Sequence, residues 1–395
     1  MRMNGRNVFV IGTGITKFGE FYDRDSTSLA VEALNAAIND AKIDRSSIKS
    51  AYFGSMVSNS SPHSSFSSKC LRECNISIPF TRVEAGNASG AAAFHQAYTS
   101  LASGIHDCVA VIGSEKLSDF VKNGTIEKIL GSTIDYQWEY EIGATLTSLY
   151  ALITKAHMRE FQTTMEQLAS VPVKNHKNGK ENPHAQFRRE IPLDRFLSAK
   201  RISDPIGRFD LATHCDGSSA LILVSEDYLN RKGEIKNKIP ILSSEHSSDV
   251  LALHHRESLT QIKSTVTAAK KAFTKVGIEP TDIAVAEVHD AFPISEILAI
   301  EDLGFFEKGE GGNATEAGLT QLNSKISVNP SGGLKARGDP FGATGIAQIV
   351  EIVEQLRGRA DKRQVSEIEY GLTHNIMGTG ALAYVNIFGK EEMKQ

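Results

Sequence analysis

Hydrophobic and polar positions follow two rhythms along the 395-residue chain. Short apolar runs rich in β-branched residues fall at 8–11, 51–54, 82–85, 109–113, 220–225, 239–243, 285–288 and 383–388, and each reads as a strand. Longer stretches at 28–41, 91–103, 148–161, 262–276, 294–303 and 345–356 space their apolar residues at helical intervals. Strands alternate with helices, and that order predicts an α/β fold.

The pattern also repeats. Residues 43–48 end a helix and lead into the strand at 51–54, and residues 278–283 do the same before 286–289, 235 positions later. Gly217-Ser218-Ser219-Ala220 and Gly378-Thr379-Gly380-Ala381 both open the last strand of a half. Two related halves are the simplest reading. The expected units are an N-terminal half at 1–116 and 201–235, and a C-terminal half at 236–395. Between them, 117–200 breaks the rhythm with an aromatic cluster at Tyr136, Trp138 and Tyr140 and a polar run at 174–183. It reads as an inserted loop domain covering one face.

Composition narrows the function. A net charge of -4 and the lack of a long basic run argue against nucleic acid as a partner. No apolar stretch reaches the length of a membrane span, and the first residues lack a signal peptide's apolar core. Four scattered cysteines, Cys70, Cys74, Cys108 and Cys215, fit a reducing cytoplasm and make no zinc-site spacing, so no metal is expected.

The most informative stretch is 83–90, which ends a strand, turns tightly and enters a helix. A helix N-terminus favours negative charge and lowers a thiol pKa, so this is a seat for a reactive thiolate. Asn87 occupies it. An amide is not a nucleophile.

These residues, with Val288-His289-Asp290-Ala291-Phe292, the stretch 329–336 and His374-Asn375-Ile376-Met377-Gly378, resemble the thiolase superfamily over nearly the whole chain. The nearest branch looks like the archaeal acetoacetyl-CoA thiolases and sterol-carrier-protein thiolases, whose loop domain is similar to 174–183. The resemblance implies a duplicated, five-layered αβαβα thiolase fold. It also implies coenzyme A as part of the substrate rather than as a bound cofactor, a homodimer or dimer of dimers, and a small zinc-ribbon/OB-fold protein as a possible partner.

Four positions depart from the family pattern. Asn87 stands at the nucleophile, Asp339 where the Gly-His-Pro histidine belongs, Asn375 at an acid/base cysteine, and Met377 at an oxyanion-hole glycine. The losses are coupled, since a histidine that activates a thiol has no task once the thiol is gone. His289 is retained. The expected catalytic set is His289 and Asp339 for protons and Asn87 for an oxygen. The expected acyl-CoA pocket is Asn329, Gly332, Gly333, His374, Asn375, Met377 and Gly378. His157, His176 and His214 lack ligand-like spacing and read as structural or surface residues.

Aldol or retro-aldol chemistry on a β-hydroxyacyl-CoA needs no nucleophile and is the expected activity. The alternatives are a non-catalytic subunit that scaffolds an active thiolase or the zinc-ribbon/OB-fold protein, and the conventional acetyl-CoA acyltransferase that the family label suggests.

Overall fold

The computed structural model describes residues 5–57, 65–120, 125–233 and 235–390. The strands are β1 (Val8–Ile15), β2 (Ser50–Gly54), β3 (Phe80–Val83), β4 (Cys108–Glu115), β5 (Arg201–Ser203), β6 (Ile206–Gly207), β7 (Gly217–Ser225), β8 (Ile239–Ser248), β9 (Ile283–Glu287), β10 (Ser327–Val328), β11 (Tyr370–Met377) and β12 (Leu382–Gly389). The duplication is plain in their pairing. One half runs β3-β2-β4-β7-β1 and the other β10-β9-β11-β12-β8. In each half the first three strands are parallel and the last two join antiparallel. The halves meet edge to edge through β1 and β8, at Phe9–Pro240 and Val10–Ile239.

Helices fill five layers with these sheets. Ser26–Ala41 buries Ala33, Leu34, Ala37 and Ile38 on one outer face, against Phe53, Ile112 and Ile222. Asp25 caps it, accepting from Ser28 N at 2.7 Å. Lys263–Val276 covers the other outer face, where Ala268 and Ala272 join Ala286, Leu372 and Ile387. Between the sheets lie Ser89–Ala102 and Thr344–Leu356, sharing one core with Val109, Leu221, Ile241 and Val285. Both faces of this layer are covered, which is why Thr344–Leu356 is buried nearly all round.

The two central helices approach at their N-termini, and glycine makes this possible. A Cβ on Gly90 would lie 2.4 Å from Gly342 O, and one on Gly345 would lie 2.6 Å from Ala91 N. The turns before these helices therefore meet, carrying Asn87 on one side and the Gly338–Gly345 segment on the other.

Two readings of the sequence need correction. The stretch 374–377, where the sequence pattern shows no strand, lies inside β11, and the chain turns only at Gly378. The polar run at 174–183 is mostly the end of a buried helix, Met165–Lys180, capped by Thr164 and Gln167. Its polar residues answer buried carboxylates rather than water. Lys174 Nζ lies 2.8 Å from Glu296, and Asn175 Nδ2 donates to Asp290 at 2.7 Å and Glu296 at 2.8 Å. The neighbouring helix Leu146–Phe161 packs Leu149 and Ile153 on Ile294, Ile297 and Leu298 of the second half. Among the described residues no helix is long and apolar enough to cross a membrane, and no group of three or more His, Cys, Asp or Glu is placed to hold a metal.

Candidate active site

The turn ahead of Ser89–Ala102 is strained at one residue only. Gly86 takes φ +57°, and its missing Cβ leaves room for Met377 and Thr133. The left-handed conformation thus falls to the glycine, and Asn87 is not needed to relieve it. The Asn87 side chain bonds elsewhere. Its Oδ1 accepts from Gly378 N at 3.0 Å, and its Nδ2 lies 3.2 Å from His289 Nε2. Residues 202 positions apart therefore meet.

The other imidazole nitrogen, His289 Nδ1, lies 3.1 Å from Asn375 Nδ2. That same Nδ2 donates to Gln348 Oε1 at 3.1 Å, and Gln348 Nε2 donates to the His374 carbonyl at 3.1 Å. The group is sealed. Asn87 is 3% exposed, Asn375 1%, and His289 and Gln348 not at all. Burial pushes the His289 pKa down to about 3, so the ring is neutral at ordinary pH.

Asp339 sits apart from this cluster. Its carboxylate accepts from Thr344 Oγ1 at 2.6 Å, at the start of the second central helix, and lies 4.0 Å from His214 Nδ1. Burial raises its pKa to about 6. No bond joins Asp339 to His289 among the described residues. Asn87 and Asn375 hold the ring instead. His214, read as structural or surface, is half-buried beside Asp339, and desolvation there lowers its pKa to about 4.

The expected pocket residues divide into two groups. Asn375, Met377 and Gly378 reach the site, and half-buried Met377 packs against the turn through Gly86. His374 does not, because alternation along β11 turns it to the outer layer, where Nε2 meets Thr265 Oγ1 at 2.9 Å. Asn329 supports the site from behind. Its Oδ1 accepts from Val288 N at 2.8 Å, just before His289, and its Nδ2 donates to Glu296 at 2.7 Å. Gly332 and Gly333 allow close packing on Gly179 and Asp290 and do not face the imidazole.

Three participants escaped the sequence reading. Gln348 shares its helix with the polar Glu351, Glu354 and Gln355, and nothing in its spacing singled it out. Tyr150, from the inserted segment, donates to Gly378 O at 2.9 Å and stacks on Phe292. Glu115 gathers Ser55 Oγ and the N–H groups of Met56, Val57 and Gly342, fastening the Asp339 segment to the first half.

The site can offer hydrogen bonds from Asn87 and His289 to an oxygen, but it offers no thiolate. All four cysteines are buried, and burial together with Asp339 pushes the Cys215 thiol well above its ordinary pKa. Two family models match: Thiolase, N-terminal domain, over 8–201, and Thiolase C-terminal domain-like, over 245–390. An acetyl-CoA acetyltransferase of Methanothermobacter thermautotrophicus is 43% identical, across 98% of this chain and all of the relative. The chain belongs to the thiolase family. Sterol carrier protein 2 of Homo sapiens is 32% identical over 97% of this chain and 72% of its own length. Among solved structures, the Ltp2-ChsH2(DUF35) aldolase superposes with a TM-score of 0.84 at 23% identity, covering 98% of each chain. Human mitochondrial 3-ketoacyl-CoA thiolase in complex with CoA superposes at 0.76 with 17% identity, also over 98% of each. These two likenesses speak to the fold.

Proposed function

We propose that this thiolase-family chain acts on an acyl-CoA thioester without a cysteine nucleophile, cleaving or forming a carbon–carbon bond of aldol type in a β-hydroxyacyl-CoA. One observation carries this reading. At the turn where the family resemblance puts the nucleophile, a backbone N–H holds Asn87 so that its amide nitrogen lies 3.2 Å from His289 Nε2. Donors converging at a helix N-terminus stabilise a developing oxyanion.

In the cleavage direction a base takes the β-hydroxyl proton, the Cα–Cβ bond breaks, and a carbonyl compound leaves. The bond's electrons become the thioester enolate, which takes a proton at carbon. Asn87 and His289 hold the enolate oxygen. Asp339, with a pKa near 6, is a carboxylate at neutral pH and serves as the base. His289, whose pKa lies far below neutrality, serves better as a neutral donor than as the proton carrier its motif suggested. Acetyl transfer, the activity named for the 43% identical relative, needs a thiolate, and the four buried cysteines weigh against it here.

A second reading is favoured by the closure of the site, with Asn87 3% exposed and His289 fully buried. It makes the chain a subunit that opens, or scaffolds, only with a partner. The Ltp2-ChsH2(DUF35) aldolase, by its name, pairs a chain of this fold with a DUF35 protein, and a zinc-ribbon/OB-fold partner suits this reading. Calorimetry separates the two. We expect micromolar binding of a β-hydroxyacyl-CoA by the purified chain, weakened in His289→Ala. If the pure chain binds no CoA thioester, the enzyme reading gives way to the partner-dependent one.

A further inference from the structure

The bonds around His289 have fixed directions, because each end of the network is a backbone group with one role. Gly378 N–H only donates, so the Asn87 atom facing it is Oδ1, and Asn87 turns its Nδ2 towards His289 Nε2. The His374 carbonyl only accepts, so the Gln348 atom facing it is Nε2, and Gln348 turns its Oε1 towards Asn375. The Asn375 atom between Gln348 and His289 is therefore the amide nitrogen, a donor to both.

The imidazole thus stands between two amide donors. A neutral ring carries one N–H and one lone pair, so one of these contacts sets donor against donor. With the proton on Nδ1, the clash faces Asn375, whose amide nitrogen Gln348 holds in place. With the proton on Nε2, Nδ1 accepts from Asn375, and the unmatched N–H faces Asn87 at the turn, where the proposed function puts the substrate oxygen.

We infer that Gln348, acting through Asn375, fixes His289 as the Nε2–H tautomer, so that Nε2–H and Asn87 Nδ2 form one pair of converging donors. Gln348 is a positioning residue. Without its Oε1, Asn375 is free to rotate and present Oδ1, which has no partner in the present arrangement, to Nδ1–H. The proton then moves to Nδ1, and Nε2 accepts from Asn87. The donor pair is lost although every residue in it remains.

The bond directions stand without a substrate, and only the catalytic consequence rests on the function proposed above. The test is nitrogen NMR of the full-length chain labelled with 15N-histidine, with His289 assigned by its loss in His289→Gln. We expect the native chain to show a lone-pair Nδ1 and a protonated Nε2. Gln348→Leu exchanges the two. Gln348→Glu, whose buried neutral carboxyl offers the same acceptor and donor, restores the native pattern. If Gln348→Leu does not fold, Asn375→Asp gives the same reading, because an acceptor opposite Nδ1 draws the proton there. A native Nδ1–H, or shifts unmoved in the variant that folds, overturns the inference. Should β-hydroxyacyl-CoA fail to bind while the native tautomer is Nε2–H, the proposed function falls and the inference stands. If the ligand is turned over, Gln348→Leu lowers kcat about 100-fold, and Gln348→Glu recovers most of it.

Discussion

An Asn87→Leu chain is expected to cleave β-hydroxyacyl-CoA roughly 100- to 1,000-fold more slowly than the native chain, with little change in KM. Leucine keeps the shape of the side chain and removes its donor. The loss falls on kcat because the enolate oxygen carries far more charge in the transition state than the thioester oxygen does in the bound substrate. The substitution also strips Gly378 N–H of its acceptor, and a buried unpaired N–H costs about 1–3 kcal/mol. Urea unfolding of the variant must therefore accompany the kinetics, so that lost activity is not mistaken for lost protein. An unchanged kcat in a folded Asn87→Leu chain means that Asn87 holds no reacting atom.

Lys174→Met is expected to destabilise the chain by about 3–5 kcal/mol, because it removes one partner of a buried ion pair and leaves the others uncompensated. Lys174 Nζ holds Glu296 and the Val328 carbonyl, both at 2.8 Å, in the layer behind His289. Burial and the charge of Glu296 already push the neighbouring Asp290 up to about 7. Without the ammonium, which holds the Asp290 pKa down, Asp290 is expected to take up a proton more readily, so the loss should be smaller at pH 5 than at pH 8. A Lys174→Met chain within about 1 kcal/mol of native, the range of an exposed pair, contradicts this account.

The sequence and the structure agree most where one physical signal dominates. The Val8–Ile15 and Gly217–Ser225 strands announce themselves by continuous apolar runs, and Ser26–Ala41 by its spacing. The duplication was legible because both copies place a short turn of helix, at Arg45–Ser47 and Pro280–Asp282, just before an equivalent strand. The Tyr370–Met377 strand was hidden because Gly371, Thr373, His374 and Asn375 interrupt its apolar pattern, although nearly all of it is buried. Met165–Lys180 was hidden for a related reason. Hydropathy does not distinguish a lysine that meets water from one that meets Glu296.

The site shows the same limit. The motifs around Asn87 and His289 singled out both residues, but their contact joins different halves of the chain and leaves no trace in spacing. The pairing of Asp339 with Thr344 was not visible, since it joins two side chains and Asp339 is the cap of neither following helix. Gln348 and Tyr150 belong to no motif, and they matter only because of the strand end they touch.

The most direct test of the central claim is to incubate the purified chain with a β-hydroxyacyl-CoA at neutral pH, following both the products and the intact protein mass. The account predicts a shorter acyl-CoA and a carbonyl compound in equal amounts, with the protein mass unchanged throughout turnover. A protein mass raised by one acyl group, with free CoA released in step, would establish a covalent intermediate and contradict it.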